Sequence, residues 1–483
     1  MKKSQVKKKV IIIGAGPGGL ASAMILAHRG YEVVIYEKQS RVGGRTSAFE
    51  FEGFTFDLGP TFLMLKEVFE EVFELAGEKL SDHLELKRLD PLYRINYSDG
   101  RDFMVYDDKE KLKTEIARLF SGDEVGYDNF LKTQKKKFDR MYPCLKVPYM
   151  SPIHYLRLKL LRALPSMDVL STVYGVISRY FINEDIKLAM TFQAKYLGMS
   201  PWQCPGPFTI LPYIEHAFGI YHPIGGLHQL SEKMAQIARD KGVHIHLDSS
   251  VEKIQITGGR ITGVELSGGE VDQGETVIMN ADFAAGVSGL IPEKAQPKRW
   301  NKRALEKKSY SCSAFMIYLG LDTLYDIPHH NIFIPDNYKK NIEGLVNNEP
   351  LDQDPAFYVQ NASVTDPNLA PEGRSTLYVL VPVSNLNSST DWSREKDRYR
   401  DLVIDKLKKR AGLDDLEDRI VAERVVTPDN WQNDINVYKG AVFNLAHSID
   451  QMLYLRPHNR FQGIGGLYLT GAGLIPAVAC RLS

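Results

Sequence analysis

Val10-Ile-Ile-Ile-Gly14-Ala15-Gly16-Pro17-Gly18-Gly19-Leu20, continued by Glu32-Val-Val-Ile-Tyr-Glu37, decides the fold. The β-branched run at residues 10–13 predicts a buried parallel strand, because a strand covered on both faces is apolar at every position. Pro17–His28, rich in alanine, predicts the helix that follows. Gly14 permits the tight turn, Gly16 lets the backbone approach a pyrophosphate, and Gly19 lets helix and strand pack closely. The helix N-terminus then offers unpaired N–H groups and a positive dipole end to the phosphates. Glu37 ends the second strand eighteen residues after Gly19, where a carboxylate can accept from both ribose hydroxyls. Strand, glycine loop, helix and acid in this order predict a dinucleotide-binding fold.

Arg41-Val-Gly43-Gly44-Arg45 follows without a second crossover, and Phe56-Asp-Leu-Gly59-Pro60 comes soon after. On these residues the chain resembles the flavin amine-oxidase-like superfamily. The resemblance implies FAD rather than NAD, with the Gly43-Gly44 doublet letting a loop fold over the diphosphate and Arg41 or Arg45 approaching phosphate or flavin. The candidate cofactor residues are therefore Gly14, Ala15, Gly16, Pro17, Gly18, Gly19, Glu37, Lys38, Arg41, Gly43, Gly44, Arg45, Gly59 and Pro60. The resemblance further implies that the chain near Val251 returns to the sheet with its backbone against the adenine. It also implies that the glycines after the last strand, Gly471 among them, begin a helix facing the pyrophosphate or ribityl chain.

Composition narrows the classes. Lys+Arg and Asp+Glu are both 60 in 483 residues, so no global field attracts nucleic acid. Cys144, Cys204, Cys312 and Cys480 form neither a CxxC pair nor a metal-ligand spacing, so no metal site is expected and the thiols read as reduced and intracellular. The lysines before Val10 imitate a signal-peptide start, but the apolar run after them stops at Gly14, too short for export. With no apolar run of transmembrane length, the expected location is cytoplasmic, peripheral on the inner face of the membrane.

Element patterns predict an α/β protein: a Rossmann-type FAD-binding domain interleaved with an α+β substrate domain. The expected pieces are 1–85 and 221–290 for the FAD domain, 86–220 and 291–430 for the substrate domain, and 431–483 for the closing FAD segment. Residues 254–280 alternate strands with Gly-Gly turns and predict a β-meander. The basic stretch holds Lys132, Lys135, Lys136, Lys137, Arg140, Lys146, Arg157, Lys159 and Arg162, opposed within 132–162 only by Asp139. Leu156, Leu158, Leu160, Leu161 and Leu164 lie among these charges, the composition of a helix that rests in an anionic interface.

The downstream half is similar to the phytoene desaturase family of carotenoid synthesis. The similarity lies in Ser309-Tyr-Ser-Cys-Ser-Ala-Phe-Met-Ile-Tyr-Leu-Gly-Leu321, Pro355-Ala-Phe-Tyr-Val-Gln-Asn-Ala-Ser-Val-Thr-Asp-Pro, Tyr438-Lys-Gly-Ala441 and Arg456-Pro-His-Asn-Arg460. It implies an apolar polyene substrate, phytoene or its C30 analogue, and an electron acceptor that is oxygen or a quinone. A hydrocarbon offers no polar handle, so the tunnel wall is expected to be apolar and aromatic. Phe357, Tyr358, Phe443 and His447 are its candidates, and no catalytic base is identifiable. A related carotenoid oxygenase or isomerase, an amine or protoporphyrinogen oxidase, and an inactive flavin-poor relative are the alternatives.

The tail departs from that family. After Gly473 it expects Thr-His-Pro-Gly-x-Gly-Leu/Val-Pro, whereas this chain reads Leu474-Ile-Pro-Ala-Val-Ala-Cys-Arg-Leu-Ser483. Codons for Thr-His-Pro-Gly-Ser-Gly-Leu-Pro-Val-Val (ACT CAT CCC GGC AGT GGC TTG CCG GTT GTC), with the first base deleted, encode these ten residues. A one-base frameshift is the expectation; an intact reading frame on resequencing would refute it. Restoring the frame should raise flavin retention, and equal retention in both forms would count against it.

Overall fold

The computed structural model describes residues 8–147, 149 and 151–471; the altered tail at 474–483, with Cys480, lies outside the described residues. Five strands pair in parallel in the order Leu467–Leu469, Val277–Met279, Lys9–Ile13, Glu32–Tyr36 and His244–His246. Strand periodicity sends Val10, Ile12, Val33 and Ile35 to one face, against the helices Pro17–His28 and Gln229–Asp240. Ile11, Ile13 and Val34 face the other way, against a three-stranded meander and the helix Phe283–Leu290. Both faces of the central strands are covered, which is why Lys9–Ile13 and Val277–Met279 carry no polar alternation.

The predicted first helix spans Pro17–His28, with Pro17 at its start, where a missing N–H costs nothing. Arg29 and Gly30 end it, Gly30 at a φ of 87°. The meander runs Val251–Thr257, Arg260–Leu266 and Val271–Gln273, antiparallel throughout. Val251 thus begins a separate sheet. The segment that rejoins the parallel sheet is His244–His246, beside Glu32–Tyr36, which corrects the expected placement of Val251.

A second sheet of seven strands mixes segments from both sides of the meander. Its order is Ile420–Val426, Ser313–Leu321, Ser375–Val383, Phe357–Gln360, His330–Phe333, Tyr93–Asn96 and Asp102–Val105. All neighbours are antiparallel except His330–Phe333 beside Tyr93–Asn96. Phe315, Ile317 and Leu319 pack under the helix Trp392–Ala411, while Ala314, Met316 and Tyr318 face the hairpin Ala48–Phe51/Phe54–Asp57. Trp431 reaches back to the same sheet, donating its indole N–H to Ala314 O at 2.8 Å.

Helices cap the near end of this sheet. Glu124–Leu145 is the longest, and its buried face joins Phe130, Phe138 and Met141 to Tyr213, Phe181 and Ile214. Lys137, expected among the cations of an interfacial helix, is instead buried: its ammonium lies 2.6 Å from Asp168 and 2.8 Å from Thr209 Oγ1. A buried lysine persists only when paired in this way. The remaining cations divide, Lys135 pairing with Asp139 and Lys146 with Glu71. Beyond this helix, Ile153, Leu156, Leu158, Leu161, Leu164 and Leu170 are exposed in one short stretch. Among the described residues no helix is long and apolar enough to cross a membrane.

Candidate functional site

The glycine loop and the Gly43-Gly44 turn face one another over a narrow gap. Gly43 donates its N–H to Ala15 O at 2.8 Å, and a Cβ on Gly44 would stand 3.6 Å from the Gly16 Cα. A Cβ on Gly19 would stand 2.3 Å from Gly14 O, so the helix sits as close to the strand end as backbone allows. Asn280, the residue after Val277–Met279, was not anticipated. Its amide lies 2.8–3.0 Å from where Cβ atoms on Gly16, Gly18 and Gly19 would be, and it donates to Gly14 O at 3.2 Å. Gly471, at a φ of 118°, closes the same group, its own Cβ position 3.4 Å from Asn280 Oδ1. Only bare backbone fits here, and the first turn of Pro17–His28 has N–H groups without helical partners. Bare backbone and free helical N–H groups arranged in this way form a cradle that could hold a diphosphate.

Glu37 follows the last residue of its strand and is buried. Its carboxylate accepts from Ala15 N at 2.7 Å and Gln39 N at 2.9 Å. Those bonds aim it into the loop, and each oxygen keeps a lone pair for a ribose hydroxyl. Lys38 is exposed, its ammonium 3.4 Å from Asp434 O, and Arg41 is exposed and donates to Ala48 O. Neither is turned towards the cradle by these bonds.

Arg45 is turned to residues 442–444. Its guanidinium donates to Val442 O at 2.6 Å and to the Asn444 carboxamide oxygen at 3.1 Å, while the Asn444 amide nitrogen donates to Asp282. Asp282 caps the helix Phe283–Leu290, accepting from Ala285 N at 3.2 Å. Burial pushes the Asp282 carboxyl up from the ordinary aspartate range, and Arg45 draws it back down. The predicted loop arginine thus ties the Gly43-Gly44 turn to residues 442–444. Phe443 and His447 leave from that tie: Phe443 N donates to Ser311 Oγ at 3.1 Å, and the His447 ring meets Phe208 edge-on.

Gly59 and Pro60 continue the cradle. A Cβ on Gly59 would stand 2.5 Å from Arg45 O. Three tyrosines on neighbouring strands of the seven-stranded sheet hold this loop. Tyr318 donates to Leu58 O at 2.6 Å, Tyr378 donates to Gly59 O at 2.5 Å, and the Tyr358 hydroxyl lies 2.8 Å from Thr61 Oγ1. Tyr318 and Tyr378 are directly paired across their strands. Phe357 points the other way, as adjacent strand residues must: it stacks on Phe333 at 4.4 Å and packs in the core under Trp392–Ala411. Of that pair Tyr358 alone meets the loop, and Phe357 is withdrawn from the candidate wall.

Several buried imidazoles surround this region. Burial holds His216 and His447 down to about 4, and His329 and His330 lie well below the ordinary value of 6.5. Above about pH 7.5 all four are essentially neutral, folded or unfolded. Below it the unfolded chain takes up protons that the folded chain refuses, so stability falls as pH drops towards 4. Each contributes up to about 1.4 kcal/mol per pH unit in that window. The melting temperature should be level from about pH 8 to 7 and decline below about 6; a level melting curve down to pH 5 would contradict this.

Comparisons with known proteins agree with the geometry. The model of the family described as flavin containing amine oxidoreductase matches residues 17–478. A 4,4'-diapophytoene desaturase (4,4'-diapolycopene-forming) of Methylomonas sp is 45% identical over 97% of this chain and 91% of its own length. An all-trans-zeta-carotene desaturase of Myxococcus xanthus is 35% identical over 97% of this chain and 90% of its own. In fold, an oxidoreductase from Methanosarcina mazei superimposes with a TM-score of 0.65 at 17% identity, covering 97% of this chain and 98% of its own.

Proposed function

We propose, from the premise that this chain belongs to the flavin containing amine oxidoreductase family, that it is an FAD-dependent carotenoid desaturase acting on a C30 or C40 polyene. The observation that carries the reading is the 45% identity to a diapophytoene desaturase along nearly the whole chain. Bound flavin supplies the one thing no side chain can, an acceptor for a hydride from a CH₂–CH₂ unit beside a double bond. Gly14, Ala15, Gly16, Pro17, Gly18, Gly19, Gly43, Gly44, Asn280 and Gly471 would hold its diphosphate, and Glu37 its ribose. Arg45 fixes the loop that continues through Gly59 and Pro60. Tyr358, Phe443 and His447 stand at the substrate side, where apolar neighbours exclude water.

Pigment analysis in cells that make phytoene or its C30 analogue tests the reading. Longer, red-shifted polyenes are expected. Aldehydes would indicate oxygenation of terminal methyl groups instead, and unchanged precursor would refute both.

The substrate is a lipid, and the exposed leucines offer a route to it. Ile153, Leu156, Leu158, Leu161, Leu164 and Leu170 would enter the interface of an anionic bilayer while Arg157, Lys159 and Arg162 meet its headgroups. On this reading the protein is peripheral on a membrane, with oxygen or a membrane quinone as final acceptor. Flotation with anionic liposomes should carry the protein upward, and Leu158→Glu with Leu161→Glu should leave it in the soluble fraction. Wild-type protein that stays soluble at physiological salt would sink the idea.

A further inference from the structure

The loop after Gly59-Pro60 carries a hydrogen-bonded chain that runs on past the loop to a buried imidazole. The Tyr358 hydroxyl lies 2.8 Å from Thr61 Oγ1 and 2.6 Å from His330 Nδ1. His330 is wholly buried, stacked on Phe62 with ring centroids 4.2 Å apart, and its Nε2 has no partner among the described residues. Leu58 and Gly59 are already held by Tyr318 and Tyr378. A third tyrosine bonded onward to an imidazole adds a path for a proton rather than another clamp. Tyr358 is also only partly buried, between strand neighbours Phe357 and Val359 that are fully so. Its ring packs against both the helical apolar cluster and the hairpin cluster, the junction where an apolar substrate would meet the cofactor loop.

We propose that Tyr358 and His330 are the proton-accepting arm of the site and that Thr61 is its positioning residue. The proposal rests on the desaturase reading. Desaturation removes a hydride and a proton from adjacent carbons. The hydride leaves with its electron pair to the oxidant, the flavin of that reading, and the substrate becomes a delocalised carbocation. The neighbouring C–H then breaks, its electron pair forming the second bond of the new double bond. Its proton goes to the Tyr358 oxygen as the Tyr358 proton passes to His330 Nδ1, which leaves an imidazolium. A proton beside a carbocation is so acidic that a neutral imidazole suffices as its base, even one made less basic by burial. A carboxylate is not required, and near the cation it would compete as a nucleophile.

The groups facing this arm fit a neutral resting state. His329 stands 4.4 Å from His330 ring to ring, and His222 stands 4.8 Å from His329. His222 is paired with Asp366 at 3.2 Å, Lys87 bears on His329, and Asp57 bears on Tyr358.

Tyr358→Phe and His330→Gln test the proposal. Both are expected to bind flavin and to melt near the wild-type temperature. After anaerobic mixing with substrate in liposomes, single-turnover formation of the longer conjugated polyene, read by its absorbance, should be slowed about 100-fold or more in each. Glutamine can still bond the Tyr358 hydroxyl but cannot be protonated, so a merely structural role would leave His330→Gln near wild type. In flavin-free protein, ¹⁵N-histidine spectra at pH 7 should show His330 neutral with its proton on Nε2, and Tyr358→Phe should shift Nδ1. Rates within threefold of wild type, or a proton on Nδ1, would overturn the arm alone. A wild type inert towards both C30 and C40 precursors would overturn the desaturase reading and the arm with it.

Discussion

Gly19→Ala is expected to purify as a colourless, less stable protein. The added methyl carbon would stand 2.3 Å from Gly14 O and 3.0 Å from the Asn280 amide nitrogen. The first of these is backbone, so no rotamer change relieves it. The helix Pro17–His28 must move outward by roughly 1 Å to restore an ordinary carbon–oxygen contact. That shift costs about 1–3 kcal/mol of packing. It also carries the N–H groups of the first helical turn away from the diphosphate. Since 1.4 kcal/mol is a factor of ten in affinity, flavin occupancy should fall roughly tenfold to a hundredfold. Gly289→Ala is the control: it lies in a helix, with open space around its added Cβ. It should be neutral or stabilising by up to about 1 kcal/mol. The 450 nm absorbance ratio of purified protein and a melting curve read both, and a yellow Gly19→Ala protein of wild-type stability would refute the account of the cradle.

Arg45→Ala should be nearly as damaging by a different route. It removes donors to Val442 O and Asn444 and takes away the cation that bears on the half-buried Asp282. Breaking a fully buried pair costs about 3–5 kcal/mol. Arg45 is half-buried, so the expected loss is smaller, about 2 kcal/mol. The flavin effect should exceed the stability effect, because the Gly43-Gly44 turn and residues 442–444 lose their connection on the cofactor side. Arg45→Ala with Asp282→Asn should recover part of the stability and little of the flavin, since the orphaned carboxylate is gone but the tie remains broken. Full recovery of flavin in the double variant would show that Arg45 acts only by neutralising Asp282.

The parallel sheet and its glycine loop were legible because their signals are local. Val10 to Ile13 must be apolar on both faces, and Gly19 answers to the approach of Gly14 O, five residues away. The meander was legible for the same reason, its turns written as Gly258-Gly259 and Gly268-Gly269 at positive φ. Val251 was misplaced because a strand that leaves one sheet and a strand that joins another share a pattern. Lys137 was misread because charge density along a helix does not tell which cation meets Asp168, thirty-one residues away, in a buried pair.

The sequence alone determined the cofactor class and, through the downstream motifs, the polyene reading. Both depend on short runs whose chemistry follows from spacing along the chain. Tertiary structure decided what completes the site. Asn280 enters the glycine cradle from a strand more than 250 residues away, and Arg45 finds its partners near residue 443. Tyr318, Tyr358 and Tyr378 converge on residues 58–61 only because three strands of one sheet lie side by side. A tyrosine in an apolar strand looks like core until the neighbouring strands are placed, since burial sets its periodicity whereas its hydroxyl bonds to whatever the fold brings opposite.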